Sequence, residues 1–126
     1  MNKILIALVL AVVMSGNVYA YKVTEKELRY VANEINKSTP IKYAKGLLLE
    51  SVDYLESFTL VYNYRFSQHT KNSIGDLSRG NSKLTRDVCT NPDLKLLINQ
   101  GVTFISHYYD KDWVFVHKHS TSKYNC

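Results

Sequence analysis

Two cysteines, Cys89 and Cys126, constrain this chain more than any other feature, because it has no others and Cys126 is its final residue. A thiol on a free tail has little use in a reducing cell. In an oxidising compartment, a bond between the two would pin the chain end back onto the body of the fold. The pair therefore suggests a staple. Closing about 37 residues, it would contribute roughly 3 to 4 kcal/mol in the loop-entropy account, a large share for so small a chain.

The N-terminus points to the same compartment. Met1 to Ala20 holds one positive residue, Lys3, then an apolar run from Ile4 to Val13 and a small-residue exit, Val18-Tyr19-Ala20. That pattern is a secretory signal peptide, too short in its apolar part to span a bilayer, with cleavage expected before Tyr21. A periplasmic or secreted protein, without stable membrane insertion, is the expectation. Cleavage would take the chain from 126 to 106 residues and the formal charge from +5 to +4, leaving one domain, 21–126, with one core. The Lys and Arg residues are scattered rather than clustered, which argues against a nucleic-acid partner.

Along that domain, Thr24-Glu25-Lys26-Glu27 is a capping box, followed at helical spacing by Leu28, Val31, Ala32 and Ile35, so a helix is predicted to end near Asn36. Pro40 stops it and sets extended structure behind it. Gly46 to Tyr54 is predicted as a strand. The next strand alternates cleanly, with Phe58, Leu60, Tyr62, Tyr64 and Phe66 on one face and Thr59, Val61, Asn63 and Arg65 on the other. The short link Leu55-Glu56-Ser57 makes the two a hairpin. An irregular turn through Gly80 and a helix from about Ser82 to Cys89 come next. Asn91, Pro92 and Asp93 open a further helix, Leu94, Leu97 and Ile98 form its apolar face, and Gly101 closes it. Two strands around Asp110-Lys111-Asp112 end the chain as a second hairpin. The order is α-β-β-α-α-β-β. An α+β domain follows, with a single antiparallel sheet of four to five strands and helices packed on one face.

The run Ser38-Thr39-Pro40-Ile41-Lys42 leading to Gly46-Leu47-Leu48-Leu49, then Cys89-Thr90-Asn91-Pro92-Asp93-Leu94-Lys95-Leu96-Leu97, Gly101 and Cys126, resembles the AspS-type pilotin of bacterial type II secretion. The resemblance runs from the first helix to the last cysteine. It implies a one-sheet fold, a bridge between Cys89 and Cys126, and a peptide ligand, since such pilotins bind a C-terminal segment of a secretin subunit and bring it to the outer membrane. Those pilotins are lipoproteins, whereas no cysteine stands at this leader's exit.

Chemistry other than binding finds little support in the residues. His117 and His119 fall on one side of a strand and His107 on its hairpin partner, a spacing that raises the question of three imidazoles around a metal. Without a carboxylate or thiolate at ligand spacing, half-exposed histidines are the simpler reading and no metal is expected. Asp110 and Asp112 lack the glycine and closing glutamate of a calcium loop. Glu50, Asp53 and Glu56 are explained by strand-edge solvation rather than as a carboxylate pair. No nucleophile motif or phosphate-cradling glycine loop is present, so neither an enzyme nor a cofactor is expected.

A binding module remains. A partner peptide would either add to a sheet edge or lie as an amphipathic helix in a groove, lined by Leu28, Val31 and Ile35 or by Leu94, Leu97 and Ile98. The same six residues would serve equally as plain core. Two functions stand: a pilotin-like accessory protein that binds a secretin or other secretion or pilus component, and a secreted or periplasmic inhibitor or immunity protein that blocks a toxin or hydrolase.

Overall fold

The computed structural model describes residues 22–67, 85–86 and 88–126. The leader and its cleavage site, the turn through Gly80 and the start of the helix expected at Ser82 lie outside them.

Helix α1, Glu25–Asn36, begins at Thr24, whose hydroxyl oxygen accepts from the Glu27 backbone N–H at 3.2 Å. The Glu27 carboxylate closes the box by accepting from that same hydroxyl at 2.9 Å, rather than from the cap's backbone. Leu28, Val31, Ala32 and Ile35 are its buried stripe. Residues 85–86 and 88–90 are helical, and helix α2, Pro92–Asn99, follows at once. Its N-cap Asn91 accepts from the N–H groups of Asp93 at 3.0 Å and Leu94 at 3.2 Å. Its C-terminus is a Schellman motif, with Gly101 N–H donating to Ile98 O at 3.0 Å and Val102 N–H to Leu97 O at 3.1 Å. That motif requires a left-handed residue, and Gly101 supplies it at φ +98°.

Five strands make one sheet in sequence order: β1 Ile41–Ala44, β2 Leu47–Leu55, β3 Thr59–Phe66, β4 Thr103–Tyr109 and β5 Phe115–Thr121. The extended stretch behind Pro40 is β1, folded back onto β2 through Gly46 at φ +74°. Phe58 lies just outside β3, in a turn with Ser57 where both residues are left-handed, so its ring stays at the surface. The sheet is mostly antiparallel, as expected. Its one parallel pair is β3–β4, from Thr59↔Thr103 to Arg65↔Tyr109. The reason is the long connection from Ser67 to Val102, which carries the chain back to the end of the sheet where β3 began, as a parallel pair demands.

A bulge between Leu49 and Ser51 explains why β2 alternates imperfectly. The extra residue returns the chain to the same face, so Leu49 and Val52 are both fully buried although they are three positions apart. The core lies between that face and the helices. Leu28, Val31, Ala32 and Ile35 of α1 and Leu94, Leu97 and Ile98 of α2 join Leu49, Val52, Leu60, Tyr62, Tyr64, Val102 and Tyr108. Cys89 and Cys126 are bonded, with Cα atoms 5.5 Å apart. The tail is folded to reach: the Asn125 side chain accepts from Ser122 N–H and donates to Ser120 O, both at 2.6 Å.

Candidate functional site

The helices occupy one face of the sheet, and register assigns the residues of the other. Val61 and Asn63 of β3 alternate with the core residues Leu60, Tyr62 and Tyr64, and their partners on β4 are Ile105 and His107. Ser51, Asp53 and Leu55 of β2, Val61 and Asn63, His107 and Tyr109 of β4, and Trp113 line an open depression of about 460 Å³ on this face. Its floor is Val61, only 3% exposed. One flank is polar, with the Asn63 amide donating to Ser51 Oγ at 3.0 Å and to Asp53 Oδ2 at 2.9 Å. Both amide hydrogens are thereby used.

The other flank is aromatic and is built by the β4–β5 hairpin. The Asp110 carboxylate accepts from the N–H groups of Asp112 at 2.8 Å and Val114 at 2.9 Å. Asp110 N–H donates to Val114 O at 2.9 Å, and Trp113 N–H to Asp110 O at 3.1 Å. These four bonds hold Trp113 at φ +64°, a left-handed conformation that costs a bulky residue on the order of 1 to 3 kcal/mol. Its indole lies 5.7 Å from the Tyr109 ring. The Arg65 guanidinium sits 5.2 Å from its centroid, an attractive cation–π geometry. Arg65 is held in turn by Glu50 Oε1 at 2.8 Å. Phe115 packs edge-on against His107 and Tyr109. Leu55 and Trp113, which line the depression, are more than half exposed, as are Val114 and Phe115 in the hairpin.

The six helical residues named from sequence lie on the opposite side. Leu28, Val31, Ile35, Leu94, Leu97 and Ile98 are each 5% exposed or less and belong to the core. Their helical spacing is accounted for by the apolar sheet face that α1 and α2 cover. The three histidines are likewise divided. His107 pairs with Lys118 and lines the open face, whereas His117 and His119 pair with the core-facing Tyr108 and Ser106. Partial burial, with Lys118 nearby, holds the His107 imidazole below its ordinary pKa. Burial, and then His117, do the same to His119, whose Nε2 lies 2.6 Å from Thr85 Oγ1. Among the described residues no group of three His, Cys, Asp or Glu is placed to hold a metal, and no helix is long and apolar enough to cross a membrane. Asp110-Lys111-Asp112 is a hairpin turn.

The open face was missed from sequence, although one signal was available. Trp113-Val114-Phe115-Val116 is four apolar residues in a row, more than a strand with one buried face needs.

No family model matches the chain, and no curated protein matches it. Solved structures do. A Pseudomonas aeruginosa protein assigned as secreted superposes with a TM-score of 0.68 at 20% identity, over 81% of this chain and 91% of its own. The type 2 secretion pilotin EpsS of Vibrio vulnificus gives 0.64 at 13% identity, over 81% and 90%. The type II secretion pilotin AspS of Vibrio cholerae gives 0.62 at 13%, over 81% and 91%. The fold is pilotin-like.

Proposed function

We propose that this chain is a periplasmic accessory protein of a secretion or pilus system, which binds a segment of a secretin or a related component and performs no catalysis. The observation that carries the reading is the likeness of fold to two type II secretion pilotins over four-fifths of the chain. The Cys89–Cys126 bond supports an oxidising compartment, and the open apolar face of the sheet supports a protein partner. The experiment is calorimetric titration of the mature domain with synthetic peptides covering the C-terminal segments of every secretin in the source organism. Saturable binding to one of them in the micromolar range or tighter is expected, and silence across the whole set would remove the proposal. Protection of cells against a toxin by periplasmic expression, with no secretin peptide bound, would favour an immunity protein instead.

A further inference from the structure

We infer that the open face of the sheet is the docking surface for one amphipathic helix of a partner protein. The helix would lie obliquely from β2 to β5 with its apolar stripe on Leu55, Val61 and Trp113, a basic residue at Asp53 and an acidic residue at Lys118. This rests on the binding reading above and adds where the partner sits and what chemistry it presents.

A helix suits this face better than an added strand. β3 and β4 are paired with neighbours on both sides, and the edge of β2 beyond Leu49 is met at Val52 by the Asn36 amide, so what the strands beneath the depression present to a partner is side chains. From Asp53 on β2 to Lys118 on β5 is three strand spacings with a two-residue shift, about 16 Å, which matches about eleven residues or three turns of helix. The shift runs in the same sense as the step from Leu55 to Val61, which moves two residues in a single strand spacing and is therefore steeper. A helix laid between the two directions would cover the apolar positions, with Asp53 nearer one end and Lys118 nearer the other.

Charge divides across the same distance. Asp53 is exposed on the β2 side and Lys118 on the β5 side. Arg65 and Glu50 between them neutralise each other. Such a face rewards a helix with oppositely charged ends and penalises one with like charges at both. Trp113 supplies the anchor. It is held by the Asp110 turn and by Arg65 before any partner arrives, and an aromatic fixed in this way loses little freedom on binding.

Trp113 is the sole tryptophan of the chain, so its fluorescence reports this face alone. The probes are Leu-striped helical peptides of about three turns, one with lysines at one end and glutamates at the other, one with lysines at both ends and one with glutamates at both. The bipolar peptide is expected to shift Trp113 emission to the blue, saturably, and to bind about fivefold tighter than either of the others. Trp113→Ala, followed by calorimetry, should weaken it by about thirtyfold. Asp53→Lys should remove the bipolar preference, and Tyr30→Ala, an exposed change on α1, should alter nothing. Equal affinity for all three peptides, or binding that leaves the emission unmoved, would overturn the inference. The secretin peptides separate the two readings. A peptide that binds calorimetrically with no change in Trp113 emission and no loss in Trp113→Ala overturns the docking surface and leaves the function. Silence of every secretin peptide while the bipolar helix binds here removes the function and leaves the surface.

Discussion

The side-chain amide of Asn36 makes two hydrogen bonds to the backbone of Val52, donating to its carbonyl and accepting from its N–H, both at 2.7 Å. β1 pairs β2 along Leu47–Leu49, beyond that point no other strand among the described residues pairs this edge of β2, and Asn36 acts there as one more residue of a neighbouring strand. The last residue of α1 is thus bonded to the strand its own apolar face covers.

Removing that amide leaves two partly buried backbone groups without their partner. Asn36→Ala is expected to cost roughly 2 to 3 kcal/mol, read as a lower urea midpoint with an unchanged slope. Asn36→Asp retains the acceptor but turns a carboxylate oxygen toward the Val52 carbonyl. It should be as damaging as alanine at pH 7 and recover at pH 4 or below, where a protonated carboxyl donates again. Equal stability of the aspartate variant at both pH values, relative to wild type, would rule out this pairing.

The disulfide closes the segment that holds α2 and the β4–β5 hairpin. Cys89→Ser with Cys126→Ser, or reduction of the wild type, should lower stability by roughly 3 to 4 kcal/mol, a fall in Tm on the order of 15 to 25 °C. The Trp113 hairpin is built by its own Asp110 bonds, so in calorimetry below the lowered Tm the bipolar peptide should still bind.

Local chemistry made much of this fold legible. The Thr24 and Asn91 caps, the Gly101 stop and the alternation from Leu60 to Phe66 each follow from a residue whose own preferences decide the outcome. Three features were not legible for one shared reason, that pairing fixes them and composition does not. The bulge that brings both Leu49 and Val52 inward depends on register with β3. The direction of β4 depends on the route of a long connection. The face on which His107 lies depends on its pairing with Lys118. The candidate site fell into the same gap. A helical stripe such as Leu28, Val31 and Ile35 looks alike whether it meets a partner or the chain's own sheet, and only the closed core distinguishes the two.

Gly101 tests the Schellman stop apart from packing. A Cβ at this position would meet nothing within 4 Å, so Gly101→Ala costs only the left-handed backbone, about 1 to 2 kcal/mol. A D-alanine placed there by chemical synthesis should restore most of it. Failure of the D-residue to recover stability would mean that the loss arises elsewhere.

Tyr62, Tyr64 and Tyr108 give the domain an alkaline limit. Burial raises all three phenols, Tyr62 and Tyr64 well above the ordinary value and Tyr108 to about 12. In the unfolded chain they titrate near pH 10. The folded state therefore holds its protons more tightly, and stability from these groups is intact below pH 10 and lost as pH rises from 10 toward their folded values. Each group steepens the fall by up to about 1.4 kcal/mol per pH unit. Unfolding should set in between pH 10 and 12, with the absorbance of these three phenolates at 295 nm rising together with the loss of sheet signal in circular dichroism. Tyr62→Phe removes one of the three ionisations and should make the fall shallower by up to that amount per pH unit. Phenolate absorbance from the buried rings while the sheet is intact would show that they ionise within the fold, contrary to their burial against the helices.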